Sequence, residues 1–243
     1  MQRARRALTW YTAILFSCIA LGLALAFKDG APNIQMSHAS HPEIPVQMLI
    51  AGAAFGPLIL AAFLAVGLDA EFKTAAITWT RPISRLLIAI RYVAVDAGAL
   101  LVAWFVTLVA VFTSVFAIGI GKYLVAGPQV GTYALLVFGA AVMWYGLVVL
   151  VTTLLPGRGS AIAGASWGYA LIVPILTHIP FPPLLHAVMV GLNYLNPMAY
   201  VSTGSSGRLI AGSFVEHTIA TWLIGLAALA IATQLWTRRE VPA

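Results

Sequence analysis

Six apolar segments, each close to the length of a membrane span, divide the chain. They cover roughly residues 8–27, 46–68, 92–118, 130–155, 161–178 and 217–236. A helix needs about 20 apolar residues to cross the hydrocarbon core of a bilayer. Barrel strands would instead show an alternation of period two, which these runs lack. The segments therefore predict an all-α polytopic membrane protein with six transmembrane helices, in one transmembrane domain over residues 1–243.

The composition excludes a soluble fold. Charged residues make up 8% of the chain and hydrophobic residues 61%, whereas a soluble domain carries about 25% charged residues. The single cysteine, Cys18, lies in the first apolar run and is predicted to pack in a core. That first run is longer than the apolar core of a signal peptide, so we expect a retained first span behind a basic, amphipathic N-terminal segment.

The basic residues lie mainly on one side of the predicted spans. One side holds Arg3, Arg5, Arg6, Lys73, Arg81, Arg85, Arg91, Arg158, Arg238 and Arg239, and the other holds Lys28, Lys122 and Arg208. Loops rich in lysine and arginine stay in the cytoplasm. We therefore expect both termini in the cytoplasm and the protein in a bacterial-type inner membrane.

The sequence "DAEFKTAAITWTRPISRLLIAIR", residues 69–91, is then the largest cytoplasmic loop. Residues 70–79 lack glycine and proline and predict a short helix. Pro82 disfavours helical backbone at Arg81 and suits the first turn of the next helix. The loop therefore predicts a helix, a turn and a second helix along the cytoplasmic face. Its charges either anchor helix ends at the headgroups or form a surface for an intracellular partner.

Glu71 and the turn "RPISR" at residues 81–85 resemble the cytoplasmic loop of permease subunits of type-2 ATP-binding-cassette (ABC) exporters. The basic start "MQRARRALTWY", the six spans and "YLNPMAY" at residues 194–200 resemble the layout of that family. One departure is Thr74-Ala75, where the family often has Gly-Thr. The resemblance implies a homodimer of the permease, a coupling helix between helices 2 and 3, and a separate ATPase subunit that binds ATP and magnesium. The partner-binding residues implied are Glu71, Lys73, Trp79, Arg81, Pro82, Ser84 and Arg85.

Residues 179–213, on the predicted outer side, contain four prolines and a tail rich in glycine and serine. Their apolar piece, residues 184–192, is too short to span a bilayer. Together they predict broken outer helices between helices 5 and 6, either re-entrant or interfacial.

Few residues in the chain could carry chemistry. The sequence "FAIGIGKY" lacks the first glycine and the Ser/Thr of a nucleotide-binding Walker motif, so we expect no ATPase activity in this chain and no enzyme. Asp96 is an acidic residue that lies well inside an apolar run. It is either a functional residue or the partner of Arg91 in a local ion pair. His38 and His41 lie near Met36 in the predicted outer loop. They are either ligands that would suit copper or solvated loop residues. His178, His186 and His217 surround the outer segment, and interfacial polar residues are the simpler interpretation. We predict no metal site.

These patterns favour the permease of an exporter over two alternatives. The alternatives are a membrane protein that handles haem or copper during maturation, and a secondary transporter with a proton on Asp96. Aromatic residues within the spans favour a small amphipathic or lipid-like substrate; they are Trp104, Phe105, Phe112, Trp144, Tyr145 and Trp167. "GAAFG" at 52–56 and "GASWG" at 164–168 allow close helix packing, within the chain or in a dimer.

Overall fold

The computed structural model describes residues 2–28, 43–74, 85–201 and 212–238, with backbone only at 69–74 and 85. Within these ranges the chain forms one short 3-10 helix, Ile120–Tyr123, and eight α-helices: α1 Gln2–Ala26, α2 Val46–Thr74, α3 Arg85–Ala117, α4 Val130–Leu154, α5 Gly159–Leu176, α6 Pro183–Asn193, α7 Pro197–Val201 and α8 Phe214–Arg238. Six of them, α1–α5 and α8, are long and apolar enough to cross a membrane. The protein is an all-α, multi-pass membrane protein, as the apolar segments predict.

The helix ends follow local sequence signals. Gly119 and Gly157, which follow α3 and α4, have positive φ values of 79° and 83°, a conformation that glycine adopts without steric cost. The α8 helix starts with a capping box, because the Ser213 amide donates to Glu216 Oε2 at 2.7 Å and the Glu216 amide donates to Ser213 Oγ at 3.2 Å. Such reciprocal bonds satisfy amides that the first helical turn leaves without partners.

The helix α4 is at the centre of the bundle, packed between α2 and α8. Its side chains Tyr133, Leu136 and Met143 are fully buried. The α4 and α8 backbones touch, since a methyl group at Gly146 would lie 2.6 Å from the carbonyl oxygen of Gly225. The predicted packing motifs behave differently: Gly52, Gly164 and Gly168 have open space beside them, and only Gly56 is in contact, with Tyr11 of α1.

Successive spans alternate in direction, so that α1, α3 and α5 begin where α2, α4 and α8 end. We call this the basic end, because it holds seven described arginines: Arg3, Arg5, Arg6, Arg85, Arg91, Arg158 and Arg238. At the opposite end, two parallel two-residue strands, β1 (Ile44–Pro45) and β2 (Leu124–Val125), tie the start of α2 to the α3–α4 connection. This small sheet was not predicted from the sequence.

Candidate functional site: a buried ion pair, a broken helix pair and an apolar cavity

Asp96 of α3 forms the most buried polar contact of the basic half of the bundle. Its side chain is 1% exposed, and its two oxygens accept bonds from Arg3 Nη2 at 2.9 and 2.6 Å. The Tyr145 hydroxyl of α4 donates to Asp96 Oδ2 at 2.7 Å. Arg3 Nη1 also donates to the Leu64 carbonyl of α2 at 2.5 Å. One carboxylate therefore links α1, α3 and α4, and Arg3 extends the network to α2.

An ion pair at Asp96 was one of the alternatives that the sequence left open, and its partner is Arg3 and not Arg91. Five residues of helix separate Arg91 from Asp96, which turns their side chains about 140° apart. Arg91 is accordingly exposed. Sequence reasoning missed Arg3 and Tyr145 as members of the site, because Arg3 is one of several basic residues near the chain start and Tyr145 is one of several aromatic residues within the spans.

Small residues on α2 make room for the polar side chains of α1. A methyl group at Gly67 would lie 2.8 Å from Arg3 Cδ, and one at Gly56 would overlap the Tyr11 hydroxyl. That hydroxyl bonds to Thr107 Oγ1, which itself donates to the Ala103 carbonyl of α3. The rest of α1 is largely exposed, and so is Cys18, so that its predicted packing in a core is wrong. Polar contacts at Arg3 and Tyr11 therefore fasten α1 to its neighbours.

The predicted coupling loop is described in part. Glu71 and Lys73 lie in the last turns of α2, and Arg85 is the first residue of α3. Outside the described residues lie Trp79, Arg81, Pro82 and Ser84, as do His38 and His41. The apolar span ends at Leu68, as predicted, but the helix α2 continues for six more residues, because no glycine or proline interrupts residues 68–74.

As a result, α2 extends beyond the first residues of α1 and α5 at the basic end. Arg3 contacts α2 at Leu64 and Gly67, and α2 continues for seven residues, about 10 Å, past Gly67. The first residue of α5, Gly159, lies beside Val66 of α2. We call the two helix ends that flank the charged stretch, residues 68–74 and 85–95, the α2–α3 hairpin.

The broken pair α6–α7 is joined to α5 at a proline. Pro174 lies inside α5 and has no N–H for the Ala170 carbonyl four residues earlier. Asn196 Nδ2 donates to that carbonyl at 3.1 Å, and Asn196 Oδ1 accepts from the Met198 amide at 2.9 Å. Asn196, which is 0% exposed, therefore caps α7 and also satisfies the carbonyl that Pro174 leaves free.

Tyrosines hold the broken pair to three spans. The Tyr133 hydroxyl of α4 donates to the Val201 carbonyl at 2.6 Å, and the Tyr169 hydroxyl of α5 donates to the Leu192 carbonyl. Tyr200 packs edge-on against His217 of α8, with ring centroids 5.5 Å apart. Ala170 precedes the end of α5 by six residues, about 9 Å. The segment therefore returns alongside the last third of α5 rather than lying beyond its end.

The histidines of this region do not converge. His217 is buried, whereas His178 and His186 are exposed. In the described parts of the chain, no three His, Cys, Asp or Glu side chains lie close enough to hold one metal ion.

An apolar cavity of about 470 Å³ lies between α4 and α5 and reaches the end of α6. Its walls come from the second half of α4 and the first half of α5, namely Trp144, Leu147, Val148, Val151, Leu155, Arg158, Ala161, Ile162, Ala165, Ser166, Tyr169, Leu192 and Leu195. Of the aromatic residues expected to favour an amphipathic substrate, Trp144 lines this cavity. Its ring stacks on Tyr169, with centroids 6.2 Å apart. Trp104 and Tyr145 are buried elsewhere, and Phe105 is exposed.

The chain was compared with known protein families, curated proteins and solved structures, and none of the three comparisons finds a match.

Proposed function

We propose that the chain is the membrane-spanning subunit of a transporter of the type-2 ABC exporter class, driven by a separate ATPase subunit. The α2–α3 hairpin carries the proposal, because it extends about 10 Å past the start of α1 at the basic end. It also brings both flanks of the charged stretch, residues 69–74 and Arg85, to that end. A partner that binds there could push on two spans at once.

Two further features support the same function. The element order, with six apolar helices and a broken pair before the last, agrees with the layout that the resemblance implies. The network at Asp96 joins the hairpin helices to α1 and α4, so a displacement of the hairpin would be transmitted to the central helix. We propose two copies of this chain, a basic end in the cytoplasm, and ATP with magnesium in the partner subunit.

Proton transport on Asp96 is less well supported. A proton carrier must exchange with water, but Asp96 is 1% exposed and accepts bonds from Arg3 and Tyr145. These donors occupy both carboxylate oxygens inside the packed bundle. The arrangement therefore favours a structural role for Asp96.

The test is co-purification of an ATPase subunit in gentle detergent from native membranes, with wild type and Glu71→Arg. We expect the wild type to retain an ATPase and the variant to lose most of it, because the substitution reverses one charge of a docking surface. Glu43→Arg is the matched control, since Glu43 is an exposed acid at the opposite end. An ATPase retained by Glu71→Arg, or absent from the wild type, would contradict the proposal.

A further inference from the structure

The cavity between α4 and α5 has an apolar wall and a single charged residue. That residue is Arg158, which directly precedes α5 at the basic end. Leu147, Val151 and Ala165 are typical of the remaining lining, to which Ser166 and Tyr169 add the hydroxyl groups. A ligand that fits this surface is long and apolar with one anionic end.

The length of the cavity corresponds to one leaflet of a bilayer. Arg158 and Tyr169 are eleven residues apart, about 16 Å along α5. One leaflet supplies about half of the ~30 Å hydrocarbon core. Leu192 and Leu195 line the cavity together with Tyr169, and the Tyr169 hydroxyl holds the Leu192 carbonyl. The end of α6 therefore closes the cavity at the depth where an acyl chain of that leaflet would end.

Arg158 is available to an anion. Its side chain is exposed, and it has no ion-pair or hydrogen-bond partner in the described part of the chain. No acidic residue lines the cavity. A guanidinium group binds phosphate oxygens in a two-pronged geometry that suits a lipid headgroup.

We propose that this cavity binds one acyl chain of an anionic phospholipid from the leaflet at the basic end, with Arg158 on the phosphate. A zwitterionic lipid fits the apolar wall equally well but adds a positive charge beside Arg158, so the site prefers the anionic headgroup. The site does not depend on the ATP-driven function proposed above, and its test therefore measures binding rather than transport.

Trp144 supplies the signal for the test, because its ring lines the deep half of the cavity. The full-length chain is placed in nanodiscs of zwitterionic phosphatidylcholine. Phosphatidylglycerol or phosphatidylcholine brominated in mid-chain is then added in increasing amounts. The Trp144 contribution to tryptophan quenching is the difference between wild type and Trp144→Phe. We expect the brominated anionic lipid to quench it at about fivefold lower content, the preference that one basic residue gives at an anionic surface.

Two variants and one control separate the headgroup from the chain. Arg158→Gln should remove the anionic preference and leave quenching by either lipid equal. Ala165→Phe should fill the cavity and abolish Trp144 quenching, and Ala165 is exposed, so the bundle should tolerate it. Arg91→Gln removes an exposed arginine of the same end that does not line the cavity, and it should behave as wild type.

Three results would overturn the proposal. Absence of Trp144 quenching in the wild type would show that no acyl chain enters the cavity. Equal quenching of the wild type by the two lipids would show that the cavity has no preference for an anionic headgroup. Loss of preference in Arg91→Gln as large as in Arg158→Gln would assign the effect to the general charge of the basic end. Gel filtration and thermal unfolding of each variant ensure that the comparison is made on folded protein.

Discussion

Asp96 and Arg3 form one ion pair, but their side chains differ in exposure. The Asp96 side chain is 1% exposed and that of Arg3 is 17% exposed. An arginine near a helix end can extend its side chain to the interface, whereas a carboxylate in the middle of a packed helix face cannot. The cost of losing the pair therefore depends on which charge remains.

We predict that Arg3→Leu lowers the free energy of unfolding by about 3–5 kcal/mol, the cost of an unpaired buried charge. Asp96→Leu should cost less, because Arg3 can turn towards water, and the double variant should recover most of the loss, since an apolar replacement of a buried pair is often neutral. The measurement is thermal unfolding of each purified variant in detergent. Equal losses in the two single variants, or a double variant as unstable as Arg3→Leu, would contradict this account.

At the residue scale, sequence identified the acid but not its partners. Asp96 stands out because an acid within an apolar run needs an explanation. Arg3 and Tyr145 lie 93 and 49 residues away, and no local spacing rule connects residues so far apart. Asn196 was noticed in "YLNPMAY", but its bond to the Ala170 carbonyl depends on how α7 meets α5, which the sequence does not encode locally.

At the element scale, Pro174 and Asn196 form a complementary pair. Asn196→Ala should lower the free energy of unfolding by about 1–3 kcal/mol, because the buried Ala170 carbonyl loses its donor. In a Pro174→Ala background, the helix supplies an N–H to that carbonyl and the same substitution should cost only the α7 cap, about 1 kcal/mol. A double-mutant cycle by thermal unfolding measures the difference. Identical costs in the two backgrounds would show that the proline and the asparagine act independently.

The backbone contact between α4 and α8 also lies outside the predicted motifs. The patterns at 52–56 and 164–168 place two glycines four residues apart, yet three of these four glycines face open space. The α4–α8 contact instead uses one glycine from each helix, Gly146 and Gly225, which belong to no such motif. A pattern of small residues indicates where a second helix can pack closely. Which of these positions is used depends on how the helices are arranged in the folded protein.

At the scale of the whole molecule, the number of spans could be predicted from the sequence. Which spans pack against each other could not. In lipid, the outward face of a helix is as apolar as its packed face, so hydropathy does not separate α4, which is central, from α1, which is largely exposed. Orientation is carried by the basic residues, and the structure gathers seven described arginines at one end.

We predict that this basic end faces the cytoplasm. In a Cys18→Ala background, Gln129→Cys marks the opposite end and Ser160→Cys marks the basic end, since each position is exposed. A membrane-impermeant maleimide should label Gln129→Cys in intact cells and Ser160→Cys only after permeabilisation, because arginine-rich loops are retained inside. The reverse labelling pattern would invert the topology.

The contact between Arg3 and Asp96 also sets an order of events during synthesis. The ribosome adds about 5–20 residues per second, so the 93 residues between the two side chains take roughly 5–20 s. Throughout that interval α1 is already made, while the carboxylate that will hold it does not yet exist. Until the third helix arrives, the first can pack only against the second, where Arg3 meets Leu64 and Tyr11 meets Gly56, and its ion pair forms afterwards.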